Sequence, residues 1–184
     1  MYRVGNEASV TYYYAVQRPI LVQTDEVDVG DAASETAHQF AATNADARTQ
    51  GRWWYDGEFN NVLFGTPPIS DDGRSIRGSC EFTAVVDPEN RGVRLRRRTD
   101  KENNRQLARV FIDGVLVKER PWYTVDFERT YRDIRWADTD FDIPAKYTRG
   151  KRSLRVRMEH AESENGCLDA FRFWVSCYQA EERP

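Results

Sequence analysis

No apolar run in this chain approaches the ~20 residues that a membrane-spanning helix requires, and Met1 to Glu7 lacks the apolar centre of a secretory signal. A membrane partner is therefore not expected. As written the chain reads as cytoplasmic, with secretion following only if it is one piece of a longer precursor. Cysteine is scarce: Cys80, Cys167 and Cys177 make an odd count with no C-x-x-C spacing, so neither a zinc site nor a disulfide framework is suggested. Cys80 and Cys177 alternate in step with apolar neighbours and read as buried thiols. Charge of one sign is also lacking. With 27 basic and 30 acidic residues the net charge is −3, so no global attraction to nucleic acid is expected.

Histidine is limited to His38 and His160. His38 follows Ser34 and Glu35 at helical spacing, but no G-x-S-x-G turn stands in the chain, and a local hydrogen-bonding role is the better reading. Asp138, Asp140 and Asp142 lie along one strand, a poor cage for calcium, and the Gly-containing calcium loop is absent. No metal, cofactor or catalytic residue is assigned. Acidic residues are plentiful, yet nothing singles out a carboxylate pair at glycosidase spacing.

What the chain does have is a composition of 40% apolar, 12% aromatic and 31% charged residues over 184 positions, which suits one globular domain with a real core. Period-two alternation dominates. Val10, Tyr12 and Tyr14 oppose Thr11 and Tyr13; Ile20 to Val29 is extended. Cys80, Phe82, Ala84 and Val86 share a face, and Val93, Leu95 and Arg97 alternate with Arg94, Arg96 and Arg98. Ala108, Val110 and Ile112 precede Asp113-Gly114, a pair favoured in a type I′ hairpin turn. Phe141 and Ile143 alternate with the aspartates, Leu154, Val156 and Met158 with Arg155 and Arg157, and Phe171, Phe173, Val175 and Cys177 with Arg172, Trp174, Ser176 and Tyr178. One short helix is expected from Ala32 to Phe40, capped by Asp31. The expected fold is all-β: an antiparallel two-sheet β-sandwich of jelly-roll type with little helix. Its organisation is a strand within 1–20 that resembles the end of a preceding jelly roll, then a sandwich over 21–184 with an irregular segment at 43–77.

Two constellations stand out. The row Arg94, Arg96, Arg98 could pair with Asp138, Asp140, Asp142 across a polar sheet face, hold an anionic ligand, or touch nucleic acid. The aromatic set Trp53, Trp54, Tyr55, Trp122, Tyr123 and Trp136 sits in or beside loops among Asp, Asn and Arg, the composition of a sugar-stacking surface. The same residues would also serve to close the ends of the core or to line an oligomer interface.

The segments Gly92-Val-Arg-Leu-Arg-Arg-Arg98, Arg105-Gln106, Val110-Phe-Ile-Asp-Gly114, Pro121-Trp-Tyr123, Arg135-Trp136, Asp140-Phe-Asp-Ile-Pro144 and Thr148-Arg-Gly-Lys151 resemble, in this order, the C-terminal region of glycoside hydrolase family 172 proteins. Val10-Thr-Tyr-Tyr-Tyr14 and Thr24-Asp-Glu-Val-Asp-Val-Gly30, with Ser34, Glu35 and His38, look like the end of that family's jelly-roll body. The resemblance implies kinship with oligomeric enzymes acting on fructofuranosides and arabinofuranosides. It carries no catalytic residue here, because that family's catalytic carboxylates precede the strand matched by Val10 to Tyr14. The expected function is thus a non-catalytic β-sandwich module of a carbohydrate-active protein, contacting glycan or packing against other copies or a catalytic jelly-roll domain. A ligand-free structural subunit and a furanoside hydrolase are the alternatives.

Overall fold

The computed structural model describes residues 20–52, 69–101, 103, 106–124, 135–161 and 166–179. The strand expected around Val10 to Tyr14, and Trp53, Trp54 and Tyr55, lie outside the described residues. Alternating side chains build two antiparallel sheets. The first has the order β1 (Ile20–Asp28), β11 (Arg172–Gln179), β4 (Gly92–Asp100), β8 (Trp136–Pro144). The second runs β10 (Leu168–Ala170), β3 (Ser70–Val85), β9 (Ser153–His160), β5 (Leu107–Ile112), β6 (Val115–Leu116), with β2 (Ala41–Gly51) also on β3 and β7 (Trp122–Tyr123) also on β5. The chain is an all-β, two-sheet antiparallel sandwich.

The faces that meet are those marked by the alternation. Val27, Leu95, Phe141, Phe173 and Val175 of the first sheet press on Ile76, Phe82, Val110, Val156 and Met158 of the second, all buried. Phe82 and Phe173 carry the contact between layers, their ring centroids 4.7 Å apart. Cys80 and Cys177 are buried free thiols in the same interior, and burial pushes the Cys80 thiol up to about 12. The hairpin turn forms as its residues demand, with Asp113 at φ 50° and Gly114 at φ 81°, the two positive values that a type I′ turn requires.

Helix content is small. Helix α1 (Ala32–Ala37) starts at Asp31, whose carboxylate accepts from the Ser34 amide at 2.7 Å. It ends before Phe40 because Gln39 takes φ 53°, which no helix can continue. Helix α2 (Ala145–Thr148), a single turn, carries too few residues for a period to be read.

The irregular segment expected at 43–77 is corrected at both ends. β2 pairs with β3 from Ala41↔Glu81 to Gly51↔Ser70. Alternation failed to reveal β2 because its residues are small and polar: an edge strand held by its backbone ladder needs no apolar face. Asp71-Asp72-Gly73, within that expected irregular segment, lies inside β3. Gly73 is there because a Cβ would stand 2.4 Å from the Ala170 carbonyl oxygen of the neighbouring strand.

The described residues that border the connections after β2, β4 and β7 meet at one end of the sandwich, the loop end. Three backbone bonds tie them: Arg52 N donates to Ile69 O, Arg135 N to Arg52 O, and Lys101 N to Arg135 O, each at 2.8 Å. No helix among the described residues is long and apolar enough to cross a membrane. Because Phe82 joins the two layers, Phe82→Ala is expected to lower the unfolding free energy by about 3–5 kcal/mol in a denaturant titration.

Candidate functional site

The outer face of the first sheet is an ionic ladder. β4 and β8 align Arg94 with Asp142, Arg96 with Asp140 and Arg98 with Asp138. Each guanidinium forks onto its carboxylate: 2.8 and 3.2 Å at Arg94, 2.7 and 2.9 Å at Arg96, 3.0 and 3.0 Å at Arg98. The two rows therefore bind each other, and the forks that an anionic ligand would need are occupied. The row continues across the sheet: Arg172 donates to Asp28 at 2.5 Å and to Glu26 at 2.9 Å. Arg98 also lies between two indoles, 5.1 Å from the Trp136 ring and 4.9 Å from that of Trp174.

At the loop end this row runs into an open acidic cleft of about 260 Å³ lined by Asp28, Gly30, Asp31, Ser70, Asp71 and Asp72. Each wall has a local cause. Gly30, at φ 103°, brings the β1–α1 turn so close to β3 that a Cβ would meet the Asp72 backbone at 2.8 Å. Asp31 is fixed as the cap of α1, and Asp72 accepts from the Thr49 hydroxyl at 2.5 Å. Burial pushes the Asp28 carboxyl above its ordinary range against the opposing charge of Arg172, with Asp31 and Glu26 adding repulsion. Burial likewise raises Asp71, reinforced by the charge of Asp28 and opposed by Arg172 and Arg98. The cleft thus offers carboxylate acceptors beside a guanidinium and an indole pair. Among the described residues, no group of three or more His, Cys, Asp or Glu is placed to hold a metal ion.

Under the loop end lies a buried polar hub that the strand patterns gave no means to find. Asp100 and Asp169 are fully buried. Arg48 of β2 reaches both, at 2.6 Å and 3.2 Å, and Arg135 donates to Asp100 at 2.5 Å. Asp169 also accepts from Ser75 at 2.7 Å and Asn103 at 3.0 Å, while Gln106 Oε1 accepts from the Asp169 amide and the Thr99 hydroxyl, both at 2.8 Å. Satisfied on so many sides, the two carboxylates join β2, β3, β4, β10 and the start of β8 into one rigid base. The only sequence trace is that Asp169 interrupts the apolar Leu168 and Ala170.

The aromatic set does not form one platform. Trp122 is only 1% exposed, stacked on Phe141 at 5.4 Å, and its assignment as a sugar contact is corrected. Short β7 aligns Trp122 with inward-facing Ala108, so the ring fills the core. Tyr123 aligns with Leu107 and is 42% exposed on the outer side of the second sheet. Half-buried Trp136 lies on the outer side of the first sheet, so Tyr123 and Trp136 face away from each other. Beside Trp136 the structure brings Trp174, a residue absent from the expected set because it sits in mid-strand rather than at a loop. His38 has the local role expected of it: Nδ1 donates to the Ser34 carbonyl at 2.7 Å and Nε2 lies 3.1 Å from Asp25.

No family model matches the chain, and no curated protein matches it. Among solved structures, it is similar to a family 35 carbohydrate-binding module from Clostridium thermocellum at 13% identity, covering 85% of this chain and 97% of that one, TM-score 0.45. A family 35 module from Paenibacillus barcinonensis matches at 11% identity over 74% of this chain and 94% of its own, TM-score 0.40. The plant receptor-like kinase ANX2 matches at 10% identity over 88% of this chain and 49% of its own, TM-score 0.45. At this level no residue's role passes from these proteins to this chain.

Removing the buried indole in Trp122→Ala is expected to cost about 3–5 kcal/mol of stability by chemical denaturation, the signature of a core residue. Asp71 behaves in the opposite sense. A carboxyl whose folded pKa is raised holds its proton more tightly when folded, so its ionisation lowers stability above that pKa and has no effect below the ordinary value of 3.8. Asp71→Asn should therefore be more stable than wild type at pH 7, with the gain shrinking as pH falls and gone below about 3.8; melting curves across pH test it.

Proposed function

We propose that the chain is a non-catalytic β-sandwich module that contacts glycan at its loop end, through the acidic cleft and the adjoining Trp136–Arg98–Trp174 stack. We further infer that it is kin to the C-terminal region of glycoside hydrolase family 172 proteins, so that furanoside-rich glycans are the first ligands to test. The observation that carries the reading is the placement of Asp28 and Asp71, two carboxylates whose ionisation costs stability, in a cleft beside an indole-flanked arginine. Carboxylates perturbed by burial and placed in a cleft mark a candidate ligand site. A sugar supplies what the cleft wants: hydroxyl donors for the carboxylates and an apolar ring face for an indole. Of the segments behind the proposed kinship, those on β1, β4 and β8 include Asp28, Arg98 and Trp136 of this end.

A second reading, packing between copies, draws on another feature. Ile20, Leu21 and Val22 are 46%, 38% and 39% exposed on β1, which among the described residues has a sheet neighbour on one side only, and an apolar edge strand is a site for pairing. Light scattering at rising concentration separates the two, since a persistent monomer removes the packing role.

In native gels containing arabinan or inulin, wild-type protein is expected to be retarded, and Trp174→Ala and Asp71→Asn to migrate freely. Asp71→Asn is the decisive variant because it is expected to gain stability while losing binding. Wild-type migration unchanged by every glycan in the panel sinks the reading.

A further inference from the structure

Arg97 belongs to the inward file of β4 with Val93 and Leu95, yet it carries a charge into the core and is 0% exposed. Burial pulls its pKa down to about 10, which still leaves it protonated at neutral pH. Among the described residues no carboxylate pairs with it, and its Nε and Nη1 have no hydrogen-bond partner. Arg48 and Arg135 hold the two buried carboxylates of the hub nearby, so Arg97 is the interior cation left over. An isolated buried charge with idle donors lowers stability, and an apolar side chain of similar length is ordinarily better there. Stability alone does not account for an arginine at this position.

Its two remaining contacts point in one direction. Nη2 donates to the Thr124 hydroxyl at 2.9 Å, and the guanidinium lies 5.3 Å from the centre of the Trp122 ring. Those residues flank Tyr123. Strand alternation turns Trp122 and Thr124 inward and Tyr123 outward. Among the described residues β7 pairs Leu107↔Tyr123 and Ala108↔Trp122, and a ladder of two residues holds its register weakly. We propose that Arg97 is a positioning residue: by gripping Trp122 and Thr124 from inside the core it fixes the outward display of Tyr123 at the loop end. The clamp does not depend on the glycan reading above.

Amide exchange and melting decide the matter in wild type, Arg97→Met, Thr124→Val and the double variant. The Thr124 amide, which donates to the Gln106 carbonyl at 3.0 Å, is the reporter. Arg97→Met is expected to melt higher by at least about 2 °C, because the stranded charge is gone, while the Thr124 amide exchanges roughly tenfold faster. A variant that only loses packing would melt lower and exchange faster throughout. Thr124→Val should speed exchange at the same amide without Arg97 being touched, and the double variant should exchange no faster than Arg97→Met. Wild-type protection at Thr124 in Arg97→Met overturns the proposal, as does a lower melting temperature with protein-wide loss of protection. Should Arg97→Met not fold, Thr124→Val decides: local acceleration at residue 124 supports the clamp, and unchanged exchange refutes it. Absence of wild-type retardation would overturn the glycan reading alone, since exchange at Thr124 still decides the role of Arg97.

Discussion

Two pleated sheets pressed face to face with a dry layer between them set the terms for every other feature of this chain. The contact of Phe82 with Phe173 typifies that layer: residues distant in sequence, one from each sheet, meeting because both occupy the inward phase of their strands. Once the inward phase is fixed, the outward phase follows without further choice, since successive strand side chains point to opposite faces. The arginine and aspartate rows lie outside because Val93, Leu95, Phe141 and Ile143 lie inside. Antiparallel pairing of β4 with β8 then brings opposite charges level, and the ladder is the result.

Charge plays two different parts here, separated by burial. On the outer face the pairs are partly exposed to water and contribute little each, so their effect is to order side chains and to flank Arg98 with indoles. In the hub, Asp100 and Asp169 are removed from water altogether and depend on every donor around them. That dependence ties β2, β3, β4, β10 and the start of β8 together beneath the loop end. Arg97 breaks the pattern, a buried cation whose only side-chain hydrogen bond among the described residues goes to the residue after Tyr123, and the contrast with its well-paired neighbours gives it meaning.

The legibility of the chain follows the same division. Strands with one apolar face, such as β4, β5, β8, β9 and β11, were readable because burial writes a period of two into the residues. The Asp113-Gly114 turn was readable because few residues tolerate positive φ at both centres. β2 was not, since an edge strand of small polar residues is held by its partner's backbone. Trp122 and Trp136 look alike in sequence, each beside a turn, yet one fills the core and the other flanks Arg98. The difference lies in which strand each aligns with, and no local pattern records that.

By itself, then, the order of residues determined the class of the fold, the phase of its main strands and the equal spacing of the two charged rows, because each depends on a period that short segments carry. Tertiary structure alone decided that those rows pair, that Asp28 and Asp71 share a cleft with Arg98 close by, and that Arg97 grips the chain on both sides of Tyr123. These are meetings between segments far apart in the chain, set by strand order and register. Those in turn are fixed only when whole sheets find the packing that keeps water out.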